Sequence, residues 1–422
     1  MGAHYVPILD PEDGPLVVLF DELGIIKGRA DDGSPVYEED YLCADPDERL
    51  WILGQWQQGF VPSYGTSARD RSEIVRFDKL IDAWRKRVGA DGRRAFALPL
   101  AASSEDPELQ ALDAFPFSRY LSDQGFRSEP LLWYLDYCCR DDFGAPTSVV
   151  STWAGLHYFC ARRGRAANAS HGDVLTWPQG NAFLTEGMTA RLRGSVRTKL
   201  LVTAVRTTGA TVQVDAIDVG RRTGVRIHAD AAIVALPVHV LKHVLPEHAE
   251  RADQSTHYAW VVANITVRAR PGGAGAPLAW DNVRFGSKLL GYVVADHQQL
   301  GLPGPATVLT YYWPLSHLAP DDGRRFALSQ SHEAWCRTFL DELYFLHPDL
   351  IGQVENADIW VWGHGMSCPV PGYCGTGARD ARRRAAPPLF FAHTDLSGIS
   401  VFEEAFWQGR VAAADRLAWS KG

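Results

Sequence analysis

The sequence has no surplus of basic residues and no long apolar run. Its 42 Lys and Arg residues are outnumbered by 50 Asp and Glu residues, for a formal charge of -8. We expect no nucleic-acid partner, because such proteins present a basic surface to phosphate. No stretch approaches the roughly 18 to 20 apolar residues that cross a bilayer, and residues 1–7 lack the segments of a secretory signal. The sequence therefore predicts no membrane span.

Cysteines and the usual hydrolase and metal motifs are also scarce. Seven irregularly spaced cysteines cannot form a complete disulfide framework, which is typical of reduced thiols and favours a cytoplasmic location. There is no GxSxG nucleophile turn. His239 and His243 are four residues apart, as zinc ligands on a helix can be, but no third ligand follows in the HExxH manner. We predict no metal site.

What is present is a globular composition with a change of pattern along the chain. The 422 residues are 46% hydrophobic and 22% charged, enough for about two to three domains of roughly 150 residues. Apolar residues three and four positions apart predict helices at 70–88, 106–122 and 129–142. The first 165 residues are therefore predicted to be mainly helical.

The second half of the chain has strand patterns. Apolar alternation on both sides of the turn at 220–224 predicts a β-meander. Residues 231–237 are continuously apolar, as in a strand of a parallel sheet covered on both faces. A further long helix is predicted at 329–346 and a connector at 369–388. A short strand at 389–392 then leads through a polar turn into a helix at 401–419.

Three turns carry the functional interpretation. The polar turn His393-Thr394-Asp395-Leu396-Ser397-Gly398 precedes the final helix, whose first N–H groups and positive dipole end suit a phosphate or an electron-rich ring carbonyl. Trp177-Pro178-Gln179-Gly180-Asn181 also precedes a helix, and its glycine indicates an unusual backbone angle or a close approach. The third turn, Ala235-Leu236-Pro237, follows the meander. These features predict a cofactor site.

These residues resemble the flavin-containing amine oxidase superfamily, which has an FAD-binding fold of the glutathione-reductase type. The matching segments are 177–181, 233–237, 391–409 and the turn Gly2-Ala3-His4-Tyr5. The resemblance implies a mixed α/β fold in which an FAD-binding domain carries an inserted helix-and-sheet substrate domain. The FAD-binding residues that it implies are Gly2, Ala3, His4, Trp177, Gly180, Asn181, Val202, Asp395, Val401 and Phe402, with Asp395 replacing the family's usual acidic residue.

One departure from the family is large. Its members open with a strand, a GxGxxG turn and a helix that hold the FAD pyrophosphate. The glycine clusters of this chain, at 272–275, 363–365 and 372–375, do not lie between a parallel strand and a helix. We therefore expect the FAD-binding domain to be incomplete at its N-terminus, and a separately encoded N-terminal FAD-binding piece is a candidate partner.

The resemblance divides the chain into segments. It assigns 1–30, 166–245 and 371–422 to the FAD-binding domain, 31–165 to a mainly helical cap region and 246–370 to the substrate domain.

The resemblance also implies the chemistry. A hydride would pass from a substrate carbon, next to an amine nitrogen, to flavin N5, with the helix starting near Val401 stabilising negative charge on the ring. It implies no obligatory acid or base, so no catalytic residue is named. Candidates for an aromatic substrate pocket are His157, Tyr158 and Trp362, although core packing would explain them equally well. Two alternatives stay open: a flavin-free remnant or interaction subunit, and a flavin-dependent desaturase or isomerase of polyenes.

Overall fold

The computed structural model describes residues 3–170, 172–192, 194–253, 255–299, 304 and 306–419. The helices are α1 (Gly14–Glu22), α2 (Ala68–Lys86), α3 (Pro107–Gln110), α4 (Phe117–Asp123), α5 (Glu129–Phe143), α6 (Thr152–Cys160), α7 (Ala182–Arg191), α8 (Val238–Val244), α9 (Pro320–Ser329), α10 (His332–Leu346), α11 (Thr376–Arg383) and α12 (Phe402–Trp419). None of these described helices combines the length and hydropathy needed to span a bilayer.

The strands are β1 (Tyr5–Pro7), β2 (Ile26–Arg29), β3 (Pro35–Tyr37), β4 (Glu48–Ile52), β5 (Gln55–Gln58), β6 (Val174–Thr176), β7 (Leu200–Thr208), β8 (Thr211–Asp218), β9 (Thr223–Ala229), β10 (Ala232–Val234), β11 (Thr256–Val267), β12 (Asp281–Arg284), β13 (Tyr292–Val294), β14 (Thr307–Pro314), β15 (Val354–Cys368) and β16 (Leu389–Phe391). The predicted mixed α/β fold class is confirmed.

A seven-stranded mixed sheet is the framework of the second half of the chain. Its order is β15-β11-β14-β13-β12-β4-β5. Strand β11 is buried along almost its whole length, since helix α10 packs Trp335, Phe339 and Leu343 into the same apolar core. Strand β4 joins the sheet parallel to β12. The sheet thus includes a piece of the first half, where the sequence predicted mainly helix.

A helical cluster packs beside this sheet. Helix α2 begins at a capping box, in which Ser67 and Asp70 each bond the other's backbone N–H, a pairing that satisfies two otherwise free donors. The helix predicted at 106–122 is wrong as a single element. It is broken at Phe115, which is extended, because the residue before a proline disfavours the helical conformation.

The third region contains the predicted β-meander, β7-β8-β9, and a parallel pair, β10 and β16. The predicted parallel strand is present, but the prediction that both of its faces are buried is wrong. Ile233 is 44% exposed, because β10 belongs to a sheet of only two strands. The predicted connector at 369–388 contains α11, and the helix predicted from 329 begins at His332. Strand β1 pairs antiparallel with β6, joining Tyr5 to Thr176.

Candidate active site

A cavity of about 460 Å³ lies where the N-terminal segment, the large sheet and the start of α12 meet. One wall consists of Ala3, His4 and Asn181, and a second of residues 400–403. The third wall contains aromatic side chains of the sheet, and the fourth is rich in carboxyl groups. Four segments that are distant in sequence therefore build one site.

The turn before α7 holds the N-terminal segment in place. Gly180 has a φ of +59°, and a Cβ there would lie 2.8 Å from the carbonyl oxygen of Ala3. This confirms the predicted unusual backbone angle and close approach. The Asn181 backbone N–H donates to Ala3 O at 3.0 Å, and its side-chain amide donates to Tyr5 O at 3.1 Å. Trp177 is buried behind the turn, stacked on Phe183, outside the cavity lining.

Two buried polar atoms in this first wall indicate that it binds a ligand. His4 Nε2 and Asn181 Oδ1 are buried and have no hydrogen-bond partner among the described residues. Burial lowers the pKa of His4 to about 4, so its imidazole is neutral at pH 7. A buried polar atom without a partner costs free energy, and a ligand with donor and acceptor groups on a flat ring would satisfy both atoms.

The start of α12 forms the second wall. Ser400, Val401, Phe402 and Glu403 line the cavity, and an α-helix leaves its first N–H groups without helical partners. Phe402 also packs against Phe20 of α1 at 6.4 Å between ring centroids. The positive end of the helix dipole therefore borders the cavity and favours negative charge there.

The fourth wall contains more acids than bases. Asp141, Asp142 and Asp281 line it together with Arg162, whose Nη2 lies 3.2 Å from Asp142 Oδ2. Burial, then the charge of Asp142, raises the pKa of Asp141 to about 7. Burial, then Asp141 and Glu48, raises the pKa of Asp281 well above its usual range. The single guanidinium leaves carboxyl groups without a cationic partner, so the wall suits a positively charged ligand.

Sequence reasoning missed these carboxyl groups, although one signal was available. Asp141 and Asp142 lie in the last turn of α5, the negative end of the helix dipole, where acidic residues are disfavoured. Two acidic residues in the last turn do not stabilise the helix, so their presence there indicates a functional role. Asp281 begins strand β12 and reaches the site only through the sheet pairing, which no local pattern indicates.

Aromatic side chains complete the lining. Trp260, Trp280, Tyr312 and Trp362 face the cavity, and Trp362 is 45% exposed. The hydroxyl of Tyr312 and the Nε1 of Trp260 are buried without a partner among the described residues. The sheet therefore presents a largely apolar surface to the cavity.

The other two substrate-pocket candidates lie behind the lining. Tyr158 lies beneath Arg162, whose guanidinium carbon is 5.3 Å from the ring centroid. His157 is in the helical core, stacked on Trp153, with its Nε2 3.0 Å from Ala97 O. Tyr158 therefore contacts the lining through Arg162, whereas His157 belongs to the helical core.

The remaining cofactor candidates lie outside the cavity lining, and Gly2 lies outside the described residues. Val202 packs partly buried in the core of the meander. Asp395 is buried in the turn after β16, where its Oδ2 accepts from the Val238 N–H at 3.0 Å and lies 3.1 Å from His257 Nε2. Burial alone would raise the pKa of Asp395, but hydrogen bonds from His257 and His393 hold it well below its usual range.

The structure thus brings together some of the expected cofactor residues. Ala3, His4, Asn181, Val401 and Phe402 share the cavity, and Gly180 shapes its first wall. A flavin ring fits this part, because its ring nitrogens and carbonyls would partner His4 Nε2, Asn181 Oδ1 and the start of α12. The adenosine end has no comparable cradle among the described residues: the connections that follow β10 and β16 contain no glycine-rich turn.

Comparisons with known proteins find one matching family model and several solved structures with a similar fold. The family model of flavin-containing amine oxidoreductases matches residues 1–417. Putrescine oxidase with bound putrescine is 15% identical, with a TM-score of 0.64 over 99% of this chain and 88% of that one. Cyclohexylamine oxidase from Brevibacterium oxydans is 14% identical, with a TM-score of 0.63 over 98% and 87%. A fatty acid isomerase from P. acnes that produces CLA is 14% identical, with a TM-score of 0.62 over 98% and 86%. A search of curated proteins finds no match.

Proposed function

This chain belongs to the flavin-containing amine oxidoreductases, whose cofactor is FAD, and we propose that it oxidises a small amine at the carbon next to nitrogen. The observation that carries the proposal is the cavity itself. It combines a polar wall and a helix N-terminus suited to a flavin ring with a carboxyl-rich wall suited to a cation. Ring and substrate would therefore share one enclosed space, as a direct transfer between them requires.

Bound FAD supplies the oxidising chemistry by accepting a hydride from the substrate carbon. The protein groups orient the ring: His4 and Asn181 offer polar atoms to one edge, and the start of α12 favours negative charge on another. Segments 1–30, 166–245 and 371–422 would build this cofactor region, and the substrate would enter from the side of the large sheet.

The carboxyl-rich wall would bind the amine. An ammonium group beside Asp141 and Asp281 favours their ionised forms, so substrate binding should release protons near pH 7. A carboxylate with a pKa near the working pH also suits proton transfer. We propose that the Asp141 carboxylate takes the proton from the bound ammonium, which leaves the neutral amine that can lose a hydride.

The same wall argues against an anionic substrate. A fatty acid would place its carboxylate near Asp141, Asp142 and Asp281, with Arg162 already paired to Asp142. No unpaired cation among the described lining residues would bind that carboxylate, and its charge would further favour the protonated forms of Asp141 and Asp281. The aromatic lining suits an apolar chain, so isomerisation of a polyene is the second candidate. The carboxyl groups favour the amine.

The adenosine half of FAD needs groups that the described residues do not offer. We propose that a separately encoded FAD-binding piece adds its parallel strand to the β10–β16 pair. Support comes from the two-stranded sheet and the exposed Ile233, since parallel sheets are normally larger and covered. Measuring the FAD affinity of this chain alone and with the polypeptide encoded upstream supplied as a separate chain tests this, and equal affinity in both cases would contradict it.

The function is tested by anaerobic reduction of the FAD-loaded chain. The flavin absorption should bleach with one or more members of a panel of primary amines and diamines, and not with polyunsaturated fatty acids. Asp141→Asn should raise the amine concentration needed for half-maximal reduction more than tenfold. Asp123→Asn, an exposed carboxyl on α4, is the matched control and should change nothing. Isomerised fatty acid without bleaching would favour the polyene candidate. A folded chain that ignores FAD even when the separate FAD-binding piece is supplied would favour the flavin-free remnant.

A further inference from the structure

Side chains from three separate segments converge at the junction of α8, β11 and the turn after β16. His239 lies on α8, His257 on β11 and Asp395 in the turn. One ligand atom from each residue lies within 4.8 Å of the other two, and His257 Nε2 is 3.1 Å from Asp395 Oδ2. Two imidazole nitrogens and a carboxylate oxygen are a ligand set of zinc sites that keep a fourth position open.

A hydrogen bond between His257 and Asp395 does not explain this arrangement by itself. It leaves His239 Nδ1 buried without a partner among the described residues, even though its ring is 4.9 Å from that of His257. Leaving a buried polar nitrogen unsatisfied is unfavourable. An ion held between the three side chains would satisfy it and would also neutralise the buried Asp395 carboxylate.

The neighbourhood is compatible with a cation that enters from solvent. His364 is partly exposed and stacks on His239, with ring centroids 3.9 Å apart. The cationic neighbours are Lys242 and Arg324, and Arg324 is paired with Asp321 at 2.8 Å.

We propose that His239, His257 and Asp395 bind one Zn²⁺ ion, with water in the fourth position. The ion would tie α8 to the start of β11 and to the turn that leads into α12. No local sequence pattern indicates this site, because His239 and His243 share one helix, whereas His257 and Asp395 lie on different elements. The site is separate from the cavity and does not depend on amine oxidation.

The test is metal binding by the full chain after treatment with a chelator and removal of the chelator. Calorimetry with Zn²⁺ should give one site per chain, and Co²⁺ should give the intense visible bands of a tetrahedral centre. The melting temperature should rise with added Zn²⁺, because an ion that binds the folded state stabilises it. No FAD or substrate is needed for any of these measurements.

Two histidine variants distinguish binding at this three-residue site from unspecific metal binding by surface histidines. His239→Gln should weaken Zn²⁺ binding more than tenfold and abolish the Co²⁺ bands; His239 is partly exposed, so the variant should fold. His243→Gln, on the same helix and exposed, should bind as the wild type does. Absence of stoichiometric binding, or equal losses in both variants, would overturn the proposal.

Discussion

Replacing Asp141 by Asn should stabilise the protein at high pH. Burial raises the pKa of Asp141 from 3.8 to about 7, so the folded state holds a proton between these values that the unfolded chain has released. Stability therefore falls as the pH rises through this window. At pH 8, where the folded carboxyl is ionised, its raised pKa costs at most about 4 kcal/mol of stability. At pH 5, where the folded carboxyl is still protonated and the unfolded one is not, it costs about 2 kcal/mol; water in the cavity reduces both values. Asn keeps the shape and removes the charge.

Urea unfolding at pH 5 and pH 8 measures the effect. Asp141→Asn should raise the free energy of unfolding, and the gain should be about twice as large at pH 8 as at pH 5. Asp123→Asn on the surface should stay within about 0.5 kcal/mol of the wild type at both values. If Asp141→Asn gives no gain at pH 8, or an equal gain at both pH values, Asp141 does not carry a buried, uncompensated charge and the cation-binding wall loses its main support.

Three further changes test other parts of the site. Arg162→Met leaves a buried carboxylate without its partner and should cost about 3 kcal/mol at pH 8 in urea unfolding, with a smaller loss at pH 5. Gly180→Ala should cost about 1 to 2 kcal/mol and weaken FAD binding by displacing Ala3, whereas Gly209→Ala, with a similar φ but open space around it, should leave FAD binding unchanged. Tyr312→Phe should not lower stability but should lower the rate of flavin reduction; unchanged kinetics would exclude its hydroxyl from the site.

Local sequence patterns were enough to predict the secondary structure of segments whose conformation depends mainly on their own residues. The helix at 129–142 is apolar on one face and begins after Ser128, which caps it, so its bounds were predicted to within a residue. Strands β8 and β9 of the meander alternate apolar and polar residues at 212–216 and 225–229. The helix at 106–122 failed because the periodicity extends past Pro116, and the constraint of a proline on the residue before it outweighs an apolar pattern.

The site was harder to predict because its residues come from distant segments. Gly180 and Asn181 were identified from a turn motif, and the structure shows why their types matter: one avoids the Ala3 carbonyl and the other bonds it. Asp281 and Trp260 enter the cavity only through the strand order of the large sheet. A single sequence carries no direct record of that order, so these residues needed the structure.

The most direct test of the account is a crystal structure of the chain grown with saturating FAD. The account predicts the flavin ring in the cavity, in contact with His4 and Asn181 and beside the start of α12. Flavin bound elsewhere on the protein, or a cavity filled by the chain's own side chains at full FAD occupancy, would contradict it.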